Sequence, residues 1–392
     1  MASKGAKKGC VGSPAFDPDE RVHDTAAREE ALAHLKKDGF RDAISSWFKL
    51  PKADKYVYHA ITSVLLAQVQ DVVNRGRANG LHDWYRNEAG EPLPPPSQPD
   101  IEAYISIFLS TTNTASSLKG FASNAKKGSV RLPAANHLLS NRYLHPSLAT
   151  TKLAIPKAKK PPPNPYFDFW AWSARNLEWC GPCPEAERKA QGHHVLPILM
   201  HHFGCVVPSY EALEILRVIA DGRRVADVGS GNGYWTFMLR QHGVADVVPV
   251  DNAQSEWRVN WVGDTVVSDG AKWLARRENK GGKDVVLLMV YPIVGGGVAG
   301  GVEGGFTRDL LKAYKGDTVA VVGTQNHNGY TGFRGMTMAE YMEREHPDWV
   351  KVVQIPLPSF AGKDEALFIF QRGERAPPKE AGRTQPSTTK EQ

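Results

Sequence analysis

The chain has 392 residues, 41% apolar and 23% charged, with 48 Lys and Arg against 42 Asp and Glu. That is enough apolar material for two or three cores and excludes a wholly disordered chain, while a net charge of +6 permits an anionic partner without arguing for one. No apolar run of about 18 residues and no secretory h-region occurs, and four cysteines make no disulfide framework, so the residues predict a reducing compartment, cytoplasmic or nuclear, and no membrane partner.

Residues 1–24 carry Gly, Lys, Pro and Asp without an apolar period and read as a disordered basic arm. Residues 25–155 read as a helical N-terminal region. Its first part, 25–48, repeats Ala27, Ala31, Leu35, Ile44 and Trp47 near helical spacing. Asp54 is placed to cap a second helix, whose stripe would be Val57, Ile61, Val64, Leu65, Val69, Val72 and Val73. A Pro-rich loop follows, then a short helix from Asp100; residues 110–155 read as mostly irregular. Residues 156–165 form a Pro/Lys linker, stiffened towards polyproline II by three consecutive prolines. Residues 166–222 are an aromatic helical lead-in, with Ser209 capping its last helix and Gly222 ending it.

From 223 to 372 short β-branched runs alternate with helical stretches, the pattern of a parallel sheet with crossover helices. Seven strands are predicted, near Val225–Val228, Val247–Val250, Thr265–Val267, Val285–Val290, Thr318–Val322, Trp349–Ile355 and Ala366–Phe370. PLPSFAGKDE between the last two is too short for a crossover, so that pair should be antiparallel. Residues 373–392 read as a disordered tail.

The central signal is VADVGSGNGYW, 225–235. A strand ends at Asp227; Gly229, Gly231 and Gly233 alternate; a helix then starts. Such a bend lets backbone approach a ligand while a helix N-terminus offers free N–H groups. The dinucleotide fingerprint would put its third glycine at position 234, which is Tyr234. A carboxylate two residues before the first glycine repels pyrophosphate. It suits a ligand that is cationic and carries an amino group, which S-adenosyl-L-methionine does. Asp251, 22 positions after Gly229, stands where an acid takes ribose hydroxyls, and Asp269 where a polar group would meet the adenine.

Residues 223–372 resemble a class I S-adenosylmethionine-dependent methyltransferase domain. VADVGSGNGYW matches the family's first motif, VDNAQ its acidic second-strand end and SDGAKW its third-strand end. The resemblance is closest to a group of methyltransferase-like proteins whose glycine loop also runs into Tyr-Trp, behind an aromatic segment like YFDFWAW (166–172). It implies an α/β fold, a doubly wound seven-stranded Rossmann-like methyltransferase sheet behind the helical N-terminal region. It also implies S-adenosyl-L-methionine as cofactor. Two departures fall on the acceptor side: the fourth strand ends in Tyr291-Pro292 with a single proline, and Gly323-Thr324-Gln325 stands where an acid often follows the fifth.

Methyl transfer is an in-line displacement that chiefly needs alignment and water exclusion, with a base only for a protonated acceptor. Tyr291 and His327 are the catalytic candidates, with Asn326 and Tyr330 beside them; a solvent-exposed loop histidine is the plainer account of His327. Tyr234 and Trp235 either wall the methyl group or pack as the helix's first turn. The glycine-rich stretch 293–306 reads equally as a lid or a permissive insertion. WCGPC (179–183) matches a thioredoxin redox motif but lacks that fold's strands. Cys180, Cys183, His193, His194, His201, His202 and Cys205 do not have a standard zinc spacing, so no metal is assigned. Ordinary thiols in an aromatic lead-in remain, with Trp170, Trp172 and Trp179 as a roof. A small-molecule acceptor is favoured, with RNA or protein acceptors left open by the basic segments. The alternative is a non-catalytic methyltransferase-like binding or scaffold protein.

Overall fold

The computed structural model describes residues 15–59, 63–75, 89, 91, 96–178, 181–183, 195–292, 302–327 and 332–379. The expectations for 1–14, Trp179, Cys180, His193, His194, 293–301, Tyr330 and 380–392 lie outside them.

The chain opens with α1 (Pro18–His23), α2 (Thr25–Leu35) and α3 (Phe40–Trp47). The arm expected over 1–24 therefore holds a helix in its last third. Asp17 caps α1 by accepting from Asp19 and Glu20 N–H, and Phe16 is buried against Phe48 and Trp261. Strands β1 (Val57–His59) and β2 (Ser63–Leu65) follow, then α4 (Leu66–Arg75). The helix expected from Asp54 is thus corrected. Its first half is an antiparallel pair, with Val57 opposite Leu65 and Tyr58 opposite Val64. Tyr58 is fully buried and its hydroxyl meets His202 Nε2 at 2.9 Å, so one buried contact overrides the helical period.

Next come α5 (Gln98–Ser106), α6 (Thr114–Ser123), α7 (Arg131–Asn141), β3 (Tyr143–Leu144) and α8 (Pro146–Ala149). The irregular reading of 110–155 is corrected too: Asn113 caps α6 through Ser116 N–H, and Leu118, Phe121, Ala134 and Leu138 are fully or almost fully buried. The 156–164 stretch has no helix or strand, but Ala158 N–H donates to Ser110 O and Asn164 donates to Pro208 O. One apolar cluster runs across it, joining Phe40 and Leu118 to Trp170 and Leu216.

Then follow α9 (Pro165–Ser173), α10 (Leu196–Phe203), α11 (Tyr210–Ala220), β4 (Arg224–Val228), α12 (Tyr234–Gln241), β5 (Val247–Asp251), β6 (Val266–Val267) and α13 (Gly270–Ala275). The chain ends with β7 (Val285–Val290), α14 (Gly305–Ala313), β8 (Thr318–Thr324), α15 (Met338–Glu345), β9 (Val350–Pro356) and β10 (Glu365–Gln371). Ser209 caps α11 as expected, and Thr337 with Glu340 forms a capping box on α15.

The sheet runs β3-β9-β10-β8-β7-β4-β5-β6. From β6 to β8 every pairing is parallel, and β10 is antiparallel to both β8 and β9. This is the expected doubly wound, Rossmann-like sheet. Seven strands come from 223–372, and β3 from the N-terminal region adds an eighth at the edge. Alternate strand residues feed two cores. Val286, Leu288 and Ile369 pack with the N-terminal region and α9–α12, whereas Leu287, Met289 and Phe368 pack with α13–α15. Among the described residues no helix is long and apolar enough to cross a membrane.

Candidate functional site

The chain leaves β4 outward through β5 and β6, then returns to β7 on the other side of β4. That reversal opens a crevice at the carboxyl ends of β4 and β7, where open α/β sheets bind ligands. The glycine bend lies there. Gly229, Gly231 and Gly233 have φ of +79°, +56° and +81°, a region costly for residues with a Cβ. Gly233 is the N-cap of α12, and the Asn232 side chain accepts from the first helical N–H, that of Tyr234, at 3.2 Å.

Neighbouring side chains use the space the glycines leave. A Cβ on Gly229 would lie 3.2 Å from Phe306 Cζ, one on Gly231 2.9 Å from Trp257 Cζ2, and one on Gly233 2.3 Å from Val262 Cγ2. Phe306 and Trp257 are thus two aromatic rings over the bend that sequence reasoning missed. Phe306 was the end of the glycine-rich stretch and Trp257 sits six residues past Asp251, without a motif around either.

Asp227 lies under the bend, fully buried. One carboxylate oxygen accepts from the Thr236 hydroxyl at 2.7 Å; the other, Oδ1, is buried with no hydrogen-bond partner. Burial pushes the carboxyl up to about 7, against the Thr236 bond and with help from the Asp251 charge. Asp251 ends β5. Its Oδ2 accepts from Gly231 N–H at 2.9 Å and its Oδ1 from Ala253 N–H at 2.7 Å, so it ties the second strand end to the bend. Asp269 caps α13 by accepting from Lys272 N–H at 2.9 Å, and Ser268 N–H donates to Asp251 O. The three acids therefore stand at three successive strand ends, and Asp251 and Asp269 hold backbone N–H groups as well.

The segment after β5 is fixed from below by the N-terminal region. Arg258 pairs with Asp54 at 2.7 Å and lies over the Tyr56 ring at 4.6 Å. Trp261 donates to His202 O at 2.6 Å. His201 and His202, considered above as zinc ligands, instead meet the hydroxyls of Tyr56 at 3.2 Å and Tyr58 at 2.9 Å, and burial lowers both imidazole pKa values. A cavity of about 410 Å³ lies away from the strand ends, between α2, α3 and α4, with Arg41, Lys52 and Asp54 in its wall. We place the site at the strand ends, because the convergent acids and strained backbone are there.

On the acceptor side, Tyr291 ends β7 with φ of +56°, an outlier for an aromatic residue, and its N–H donates to Val322 O at 2.7 Å. His327 is nearly half exposed, with Nε2 3.4 Å from Glu340 of the α15 capping box. Its exposure matches the plainer account of a loop histidine. Tyr234 donates to Asn164 at 2.8 Å and Trp235 to Val206 O at 2.9 Å; both are buried and pack as the first turn of α12. Trp172 stacks on Phe40 at 5.2 Å and Trp170 donates to Ser359 O, so both are packing residues and not a roof.

An acid from the turn before β10 lies beside the end of β8. Asp364, buried and left-handed at φ +53°, accepts from Gln325 at 3.0 Å and meets His137 of α7 at 2.6 Å. Beside it, burial raises the Glu365 carboxyl and lowers the Lys363 ammonium. The antiparallel register Glu365↔Thr324 delivers this cluster, a non-local pairing that no motif announces.

No family profile and no curated protein matches the chain. Among solved structures it is similar to a protein from Pyrococcus horikoshii, provisionally named an RNA methyltransferase. Identity there is 15%, with 41% of this chain and 81% of that one covered at a TM-score of 0.29. It is also similar to one from Streptococcus mutans, provisionally named a SAM-dependent methyltransferase. Here identity is 12%, with 42% and 50% covered at a TM-score of 0.29. The fold rests on strand order, pairing direction and the glycine bend, which together make it a doubly wound, Rossmann-like α/β fold.

Proposed function

We propose that the chain is an S-adenosylmethionine-dependent methyltransferase that uses the crevice between β4 and β7. The observation that carries this reading is Asp227: a fully buried carboxylate with an unpartnered oxygen under a bend lacking Cβ atoms. An unpaired buried charge is costly, and a ligand ammonium group relieves it, whereas a pyrophosphate would aggravate it. Asp227 and the three glycines hold the amino-acid end, Asp251 the ribose hydroxyls and Asp269 the adenine side. Trp257 and Phe306 supply π faces for a cation and keep water away. The cofactor, when bound, supplies an activated methyl carbon on a sulfonium. Tyr291 and the cluster around Asp364 border the acceptor's approach, so alignment of the nucleophile is the work left to this chain's residues.

Calorimetry with S-adenosylmethionine, S-adenosylhomocysteine and NAD tests the reading. The sulfur nucleosides should bind and NAD should not. Asp251→Ala should weaken the cofactor by about 1–3 kcal/mol, the cost of a lost charged hydrogen-bond partner; an unchanged affinity would remove that assignment. The non-catalytic alternative is favoured by one observation: both Asp251 oxygens are already engaged by backbone and two rings already rest on the bend. Cofactor binding without transfer of labelled methyl to any fractionated extract would select it.

A further inference from the structure

Between Glu102 and Asp168 there is not one acidic residue over 65 positions. Nine of the chain's 48 basic residues and none of its 42 acids lie there, so the rest of the chain is net negative, at −3, and the whole positive excess resides in this segment. A soluble surface ordinarily intersperses both signs, and a single-sign field of this length is a steering surface for an opposite charge.

The structure sorts these nine. Two are neutralised inside the fold: Arg131 pairs with Asp100 at 2.9 Å and Arg142 with Glu211 at 2.5 Å. The other seven are exposed lysines without an ion pair among the described residues. Lys119, Lys126 and Lys127 lie on α6 and the turn into α7. Lys152, Lys157, Lys159 and Lys160 lie on the extended stretch after α8. The Ala158 N–H to Ser110 O bond brings the stretch that carries Lys157, Lys159 and Lys160 to the entry of α6, the helix that carries Lys119. The segment is also tied to the acceptor side. His137 of α7 meets Asp364, which holds Gln325 at the end of β8, and β3 pairs with β9.

We propose that these lysines form the docking surface for a single-stranded RNA that presents the methyl acceptor to the strand-end site. As an acceptor the RNA rests on the methyl-transfer reading; as a bound strand it does not. Lysines are point charges that hold phosphate without reading sequence, so they position a strand and leave selection to the crevice. Only Lys119 lies on a helix; the others lie on turns, bends and irregular backbone, which track a flexible strand but present no element to fill a duplex groove. A base on a single strand also reaches a crevice without being flipped from a stack. A membrane surface fits worse. The only exposed large apolar side chains described in the segment are Leu109 and Leu139, each 37% exposed, with no exposed aromatic anchor.

The test is anisotropy of a labelled mixed-sequence 20-nucleotide RNA, without cofactor, from 50 to 200 mM salt. Lys157→Gln/Lys159→Gln/Lys160→Gln should lower the salt slope by about 2 and the affinity by about 100-fold at 0.1 M salt, from about 0.7 per lost contact. Arg276→Gln/Arg277→Gln/Lys283→Gln, exposed cations before β7, should bind as the parent does. The proposal is overturned by a parent that fails to bind at 50 mM salt, by equal losses in both triple variants, or by tighter binding to phosphatidylserine vesicles than to RNA. Calorimetry of S-adenosylmethionine on the Lys157→Gln/Lys159→Gln/Lys160→Gln variant separates the two readings. Cofactor binding should be unchanged there. A parent that binds RNA with the expected slope but no cofactor would sink the transferase reading and with it the acceptor role.

Discussion

The two halves of the sheet's carboxyl edge are built in opposite ways. Around β4 and β5 the groups that meet are close in sequence: Asp227 with Thr236, Gly231 with Asp251, Ser268 with Asp251. Around β8 and β10 they come from far apart: His137 with Asp364, Gln325 with Asp364, Trp170 with Ser359. A contiguous loop can be kept whole by local geometry, whereas a wall assembled from distant segments changes whenever any one of them does. The half around β4 and β5, proposed for the cofactor, is therefore a fixed cradle, and the half around β8 and β10, proposed for the acceptor, is a composite surface in which the N-terminal region takes part.

Breaking the cradle should cost most. Gly233→Ala puts a Cβ 2.3 Å from Val262 Cγ2 at φ +81°, so about 3–5 kcal/mol of stability should be lost in urea denaturation, from backbone strain and overpacking together. A loss below 1 kcal/mol would mean the bend is softer than described. Asp364→Ala strikes the composite half. It strips Gln325 and His137 of a buried partner, and about 3 kcal/mol should go, while calorimetric affinity for the cofactor stays as it was. A parallel fall in cofactor affinity would erase the distinction between the halves.

Asp227→Asn sharpens the comparison through pH. The folded carboxyl titrates at about 7, against 3.8 for the unfolded chain, so the folded state holds the extra proton between those values. The stability this contributes is complete below pH 4 and is lost as pH rises through 7. The variant should therefore gain on the parent by about 2 kcal/mol in thermal melts at pH 8 relative to pH 5. Cofactor affinity of the parent should strengthen as pH rises past 7, and that of the variant should not. Smallest of all, His327→Ala should change stability by less than about 0.5 kcal/mol, because its pair with Glu340 is open to solvent; a large loss of turnover would restore it to the site.

The sequence declared what is local. The D-x-G-x-G-x-G bend, the acids Asp251 and Asp269, the strand spans and the antiparallel final pair follow from period, spacing and loop length. Trp257 and Phe306 were hidden because packing over a glycine leaves no spacing rule. Asp364 was hidden because its role depends on a strand register and on α7, which lies 227 residues from it at His137. The β1–β2 pair was mistaken for helix because Val57, Ile61, Val64 and Leu65 suit both periods, and only the burial of Tyr58 against His202 decides.

The two-residue strand β3 is small but has a consequence for the whole molecule. It pairs Tyr143 with Gln354 and Leu144 with Val353, and His145 N–H donates to Val352 O. Without it β9, largely apolar along Val350–Pro356, would be the sheet's outermost strand, with a row of unmet backbone groups inviting another chain to add itself. The N-terminal region thus acts as a chaperone built into the same polypeptide: it covers the β9 flank, at which copies of this sheet would otherwise join edge to edge.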